Sequence, residues 1–273
     1  MRIPNWFKVE AGGLRFYQAW NLQATELARH GFSTRGGGVS EPPFDTLNLG
    51  LGTDDEPERV IENRRRFGTA LGLDAERIAV PQQVHSATVR RVGASDAGSG
   101  ALDFGTSIPE TDALITNVPG LTLALHFADC VCIFLLDPEN KAIGAVHAGW
   151  RGTAARVATA AVEAMTREFG TDPKKLLGAI GPAVERHCYD VDQEVALQFT
   201  KVFPHDERVC KQSSMAKWRV DLKTANLVLL TRAGLDENNI AVSELCTCCE
   251  VEEFFSYRRD GGTGRMSGWI SLA

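Results

Sequence analysis

Apolar positions along the chain follow two rhythms. The stretch Leu123 to Thr153, LALHFADCVCIFLLDPENKAIGAVHAGWRGT, carries short continuous apolar runs and reads as two buried strands around an Asp137-Pro138 turn. Cys130 falls inside the first of these strands and His147 at the end of the second, and Gly149-Trp150-Arg151-Gly152 then turns into a helix. Elsewhere the period lengthens to that of a helix. Pro57 to Leu71 repeats Val60, Ile61, Arg64 and Phe67, with Pro57 suited to the first turn and Gly72 to the exit. Thr153 to Phe169 sets Val157, Ala161, Ala164 or Met165, and Phe169 on one face, with Thr153 as N-cap and Gly170 as stop. Asp221 to Ala233 turns Leu222, Ala225, Leu229 and Ala233 inward before Gly234, and Asp190 or Asp192 could cap a further helix that Pro204 ends.

The remaining segments read as strands and turns. Residues 1–25 form a short lead-in with Gly12-Gly13 as its turn, and a strand near His30 runs into the glycine-rich loop around Gly36-Gly37-Gly38. Ile78 to Val92 is extended but broken by Pro81, with His85 in its middle. Ser95 to Glu110 is loop, Asp112 to Thr116 a short strand, and Pro119-Gly120 a turn into the apolar stretch. Leu176 to Gly181, Ile240 to Ser243 and the C-terminal segment complete the strands. Strands and helices interleave without a linker, so residues 1–273 are expected to form a single α/β domain.

Composition narrows the function classes. With 273 residues, 44% hydrophobic and 23% charged, the chain can bury a large core, and its net charge of -6 gives no basic footprint for nucleic acid. No run approaches the roughly 20 apolar residues of a membrane span. The N-terminal segment lacks the apolar core of a secretory signal, and seven cysteines, two of them adjacent, suit reduced thiols rather than a disulfide framework. A cytoplasmic location without an obligate protein partner is the expectation.

Cys130 and His147 are the strongest candidate metal ligands. A hairpin between them would bring both side chains to one end of a sheet, where they could serve as two ligands of a zinc ion or as two buried core residues. His85, His126 and Asp129 are available to complete a site. On a regular strand His126 stands about 13 Å from Cys130 on the same face, too far for one ion, and Asp129 points the other way unless the strand bulges. His85 meets no such obstacle. Arginines beside glycine turns, Arg35, Arg151 and one among Arg258, Arg259 and Arg265, could bind phosphate bidentately, although each could equally be a surface ion-pair partner. The Gly36-Gly37-Gly38 loop could form an anion nest or be a plain connection. Cys246, Cys248 and Cys249 read as buried structural thiols; a metal site there would need a fourth ligand such as His187 or Cys188.

The segments HGFSTRGGGVS with LNLG, QQVH, ADC, AVHAGWRGT, GPAVERHCYDV and FFSYRRDGGTGRMSG together resemble the YfiH family of laccase-domain proteins. Its members are described as polyphenol oxidases and as purine nucleoside phosphorylases with adenosine deaminase activity. The resemblance runs from about His30 to the C-terminus. It implies layered helices and mixed β-sheets, and a zinc held by His85, Cys130 and His147. The substrates it implies are phosphate and a purine nucleoside: adenosine, inosine, guanosine or methylthioadenosine. Cys130, His147 and Asp129 would then be catalytic, with Asp129 a base or a ligand-orienting group, and Arg35, Arg151 and Arg258 would bind substrate or phosphate. Three positions depart from the family pattern: Cys132 where proline is common, His187 where cysteine is common, and an extra Cys249.

Three readings compete with the zinc phosphorylase. A copper polyphenol oxidase would use the same two histidines and one cysteine, but blue-copper sites add an axial methionine, and none of Met1, Met165, Met215 or Met266 neighbours the ligands in sequence. A cysteine-dependent amidase, linked to peptidoglycan editing in the family, would use Cys130 as nucleophile and His147 as base. A scaffold with structural zinc would want four protein ligands rather than three.

Overall fold

The computed structural model describes residues 5–273, so the first four residues of the lead-in lie outside it. Among the described residues the strands form two six-stranded sheets and one three-stranded sheet. In spatial order the first sheet is Trp6–Ala11, Leu14–Ala19, Ala28–Ser33, Met266–Leu272, Thr122–Phe127 and Ile78–Ala79; all its neighbours are antiparallel except the last pair. The second runs Ile240–Val242, Leu177–Ile180, Val131–Asp137, Ala142–Ala148, Ala113–Thr116 and Val89–Arg91, with parallel pairs at both edges. The small sheet is Asp190–Val191, Trp218–Val220 and Cys210–Gln212. The fold is therefore α/β with mixed sheets.

Strand periodicity sets the layers. In Val131–Asp137 every residue is buried. Val131, Ile133 and Leu135 pack with Val157, Ala161 and Met165 of the Val157–Phe169 helix and with Leu229 of the Leu222–Arg232 helix. The alternate residues Cys132, Phe134 and Leu136 face the first sheet and meet Phe32, Leu125 and Phe127. The far side of the first sheet presents Phe16 and Trp269 to Phe67 and Leu71 of the Pro57–Leu71 helix. The order of layers is helix, sheet, sheet, helices. Sheet contact is closest at Gly268, where a Cβ would stand 2.6 Å from the Cys132 sulfur, so glycine is required for the two sheets to meet there.

Three expected elements change, the first being the strand through Cys130, which divides into Thr122–Phe127 of the first sheet and Val131–Asp137 of the second. Ile78 to Val92 is not one interrupted strand: Ile78–Ala79 belongs to the first sheet, Val89–Arg91 to the second, and His85 lies in the connection. Thr153 does not cap the long helix. It sits inside a short helix, Trp150–Ala154, with its hydroxyl accepting from Asn226 Nδ2 at 3.0 Å, and Arg156, at φ 65, separates that helix from Val157–Phe169. No described helix is long and apolar enough to cross a membrane.

His30, in the first sheet, is fully buried, and its Nε2 accepts from the Ala19 N–H at 2.8 Å while Nδ1 has no partner. Burial lowers its pKa from 6.5 to about 4. Between these values the unfolded chain binds a proton that the folded chain refuses, so stability declines as the pH falls through this window. His30→Gln, which keeps an acceptor for Ala19, should flatten that decline by up to about 3 kcal/mol in urea titrations at stepped pH. Equal pH slopes in both proteins would contradict the assignment.

Candidate metal centre

Three separate segments bring His85, Cys130 and His147 together, with their ligand atoms all within 4.8 Å of one another. His147 closes the Ala142–Ala148 strand, paired opposite Cys132 of Val131–Asp137. Cys130 is not inside a strand. Thr122–Phe127 belongs to the first sheet and Val131–Asp137 to the second, and residues 128–130 are the bend that carries the chain across. Asp129 takes φ 87 at this bend, outside either strand. His85 reaches the same point from a loop, at φ 62. His147 is buried, Cys130 half-buried and His85 exposed, so the cluster opens on one side.

Asp112 holds this arrangement in place. Its fully buried carboxylate accepts from His147 Nδ1 at 2.8 Å, from the His85 backbone N–H at 3.0 Å and from the Ser86 backbone and hydroxyl at 2.6 and 2.8 Å. Burial raises the Asp112 pKa, but the His147 and Ser86 contacts outweigh it and bring it down to about 2. With Nδ1 engaged, His147 presents Nε2 to the cluster. Burial also opposes charge on Cys130 and His147. Their mutual attraction nonetheless lowers the thiol and raises the imidazole, the latter helped by Asp112. The donor set suits a cation.

Spacing supports the same conclusion. Cys130 Sγ lies 3.9 Å from His85 Nε2, near the roughly 3.3–3.8 Å expected between ligands of one tetrahedral zinc. Gly149 borders the cluster, where an added Cβ would lie 2.8 Å from the His85 ring and 2.9 Å from Cys130 Sγ. One sulfur and two nitrogens are a fitting set for zinc with one position open. Among the described methionines, Met165 and Met266 are packed in the core and Met215 is fully exposed, while a blue-copper site would add an axial thioether.

The other expected residues divide. The Asp129 carboxylate accepts from Thr247 Oγ1 at 2.7 Å and the Arg258 N–H at 2.6 Å, so it fastens the bend to the C-terminal loops instead of joining the ligands. The Arg258 guanidinium lies over the Tyr189 ring at 4.8 Å and donates to the Asp190 carbonyl. Arg35 is engaged by Asp45 at 3.1 Å, by two carbonyls and by the Phe255 ring, which makes it a loop anchor. Arg151 is exposed and stacks on Trp150 at 4.3 Å. The His126 ring meets Arg64 Nη2 at 3.1 Å and stays outside the cluster. Cys132, whose pKa burial pushes well up, is wedged between the sheets as an inert thiol.

Sequence reasoning gave Asp112 no part in the site, took Gly149 only as part of the turn after His147, and did not choose Arg265. Burial lowers the Arg265 pKa, while the Cys130, Tyr257 and Asp129 charges counteract it. Its Nη1 donates to the Thr263 and Gly264 carbonyls. The usable signal was the need of a metal-bound histidine for a carboxylate partner, which favours an Asp at a strand end.

The family model described as multi-copper polyphenol oxidoreductase laccase matches residues 29–273, and the chain belongs to that family. It is 41% identical over 242 residues, 88% of each chain, to a Geobacillus stearothermophilus protein named purine nucleoside phosphorylase YlmD. It is 34% identical over 233 residues, 84% of this chain and 87% of the other, to adenosine deaminase RL5 from an unknown prokaryotic organism. The crystal structure of Bacillus licheniformis hypothetical protein YfiH aligns at a TM-score of 0.91 and 38% identity, covering 97% of this chain and 98% of that one.

Removing the Asp112 charge while keeping its shape should loosen both histidines. Asp112→Asn is expected to weaken zinc binding at this cluster about 10–100-fold in chelator competition. Gly149→Ala should weaken it as well, by displacing His85 or Cys130. Unchanged affinity in both variants would refute the organisation described.

Proposed function

We propose that the chain is a zinc-dependent purine nucleoside phosphorylase that also deaminates adenosine, with His85, Cys130 and His147 as the metal ligands. The observation that carries this reading is the convergence of those three donors, with the His147 ring and the His85 backbone both held by the Asp112 carboxylate, in a chain whose relatives are named for both activities. Zinc, when bound, supplies Lewis acidity at the position that three protein ligands leave open.

The chain's own groups divide the remaining work. Asp112 keeps Nδ1 of His147 protonated and Nε2 available, and it fixes the His85 backbone at the same time. Cys130 serves in its thiolate form, which the neighbouring imidazoles favour. In phosphorolysis a phosphate oxygen bonds to the anomeric carbon as the bond to the purine nitrogen breaks, and the departing base needs a proton or a cation to accept its electron pair. Arg258 and Arg265 are the phosphate-binding arginines of this proposal: the Arg258 backbone is bonded to Asp129 next to Cys130, and the Arg265 guanidinium feels the Cys130 and Asp129 charges. Arg35 and Arg151 take supporting places, and Asp129 acts by positioning Arg258 and Cys130. In deamination water adds at C6 of adenine and ammonia leaves, with no phosphate required.

One observation favours a second reading. Cys130, His147 and Asp112 form a thiol, imidazole and carboxylate series with a lowered thiol pKa, the arrangement of a cysteine hydrolase. The two readings separate on the metal.

Purified protein incubated with adenosine and phosphate should yield adenine and ribose 1-phosphate, and inosine with ammonia when phosphate is omitted. Cys130→Ala should lose one equivalent of zinc and both activities. Zinc-loaded protein that forms neither product set would refute the proposal. Amidase turnover that survives chelation but not iodoacetamide would establish the thiol reading instead.

A further inference from the structure

A second group of donors lies away from the triad. His187, Cys188, Cys246 and Cys249 place one ligand atom each within 4.8 Å of one another. His187 Nε2 is 3.1 Å from Cys249 Sγ, and Cys188 Sγ is 3.4 Å from the same sulfur. The sequence suggested buried structural thiols here, but Cys249 and His187 are exposed, Cys188 is half-buried and only Cys246 is buried. Cys248, between two of the ligands, is not in the group.

The local backbone is shaped for the task. Cys246 and Cys249 have the two-residue spacing of a metal knuckle, closed by a hydrogen bond from the Glu250 N–H to the Cys246 carbonyl at 3.0 Å. His187 and Cys188 come from the Arg186–Cys188 turn, brought alongside by the Ala183 and Cys246 bridge. The Glu185 N–H donates to Cys246 Sγ at 3.3 Å, an interaction that stabilises a thiolate ligand from outside its metal.

We infer that His187, Cys188, Cys246 and Cys249 form a closed, four-ligand structural zinc site, separate from the catalytic triad. Three thiols release their protons to solvent as Zn²⁺ binds, His187 contributes neutral Nε2, and no redox step is involved. Thr247, between the ligating cysteines, donates to Asp129, so the ion would brace the bend that presents Cys130. His187 supplies the fourth ligand, which keeps the set complete.

The inference does not rest on the nucleoside reading, because the second ion can be counted after the first is removed. The test is zinc content and zinc X-ray absorption on full-length protein purified under reducing conditions. Wild-type protein should hold about two equivalents and Cys130→Ser about one, coordinated by three sulfurs and one nitrogen. Cys188→Ser/Cys249→Ser should lose the second equivalent, whereas His187→Cys should keep it with four sulfurs. If the double variant fails to fold, the coordination measured in Cys130→Ser decides. A single equivalent that disappears in Cys130→Ser would overturn the inference, as would a metal-free Cys188–Cys249 disulfide found by mass spectrometry.

Discussion

The buried Asp112 carboxylate is the interaction on which the site depends. It stands at the start of the Ala113–Thr116 strand and accepts from His147 on the neighbouring strand and from three successive backbone N–H groups of the Val84–Ser86 loop. One anion thus fixes a histidine by its ring and another by its main chain. An unpaired carboxylate at this depth would cost several kcal/mol. Here each oxygen has partners, and burial makes those contacts stronger than they would be in water. The loop bearing His85 has little regular structure of its own, so this carboxylate gives it a fixed shape.

The second constraint is the passage of the chain from one sheet to the other at residues 128–130. Both flanking strands are buried and packed between layers, so the bend has little room to move. Asp129 at positive φ takes the turn, and its carboxylate is secured by Thr247 and Arg258. Cys130 consequently faces His85 and His147 instead of entering the core as Cys132 does. Two cysteines two positions apart have opposite fates on either side of one bend: the thiol of Cys130 is lowered by imidazoles, that of Cys132 raised by apolar packing.

Much of this architecture was legible in the sequence because periodicity reports burial. The Pro57–Leu71 helix ends where the proline and glycine signals place it, and the helix expected from Asp221 to Ala233 forms as Leu222–Arg232. The ligand set came from resemblance, not spacing: alternation along a strand would have left Cys130 and His85 on regular elements, and neither is. What the sequence hid was tertiary. Asp112 resembles any strand-end carboxylate until its partners are in place, Thr153 looks like an N-cap until Asn226 claims its hydroxyl, and Arg35 resembles an anion ligand until Asp45 pairs with it. His187 and Cys249, far apart in the chain, meet where the Ala183 and Cys246 segments are bridged.

The central claim is that the Asp112-organised triad holds the metal on which nucleoside chemistry depends. Chelator-stripped protein titrated with zinc, with ribose 1-phosphate formation followed at each addition, tests it most directly. Turnover should return in proportion to the equivalent that Cys130 binds. Full turnover in stripped protein, or none once that equivalent is restored, would contradict the account.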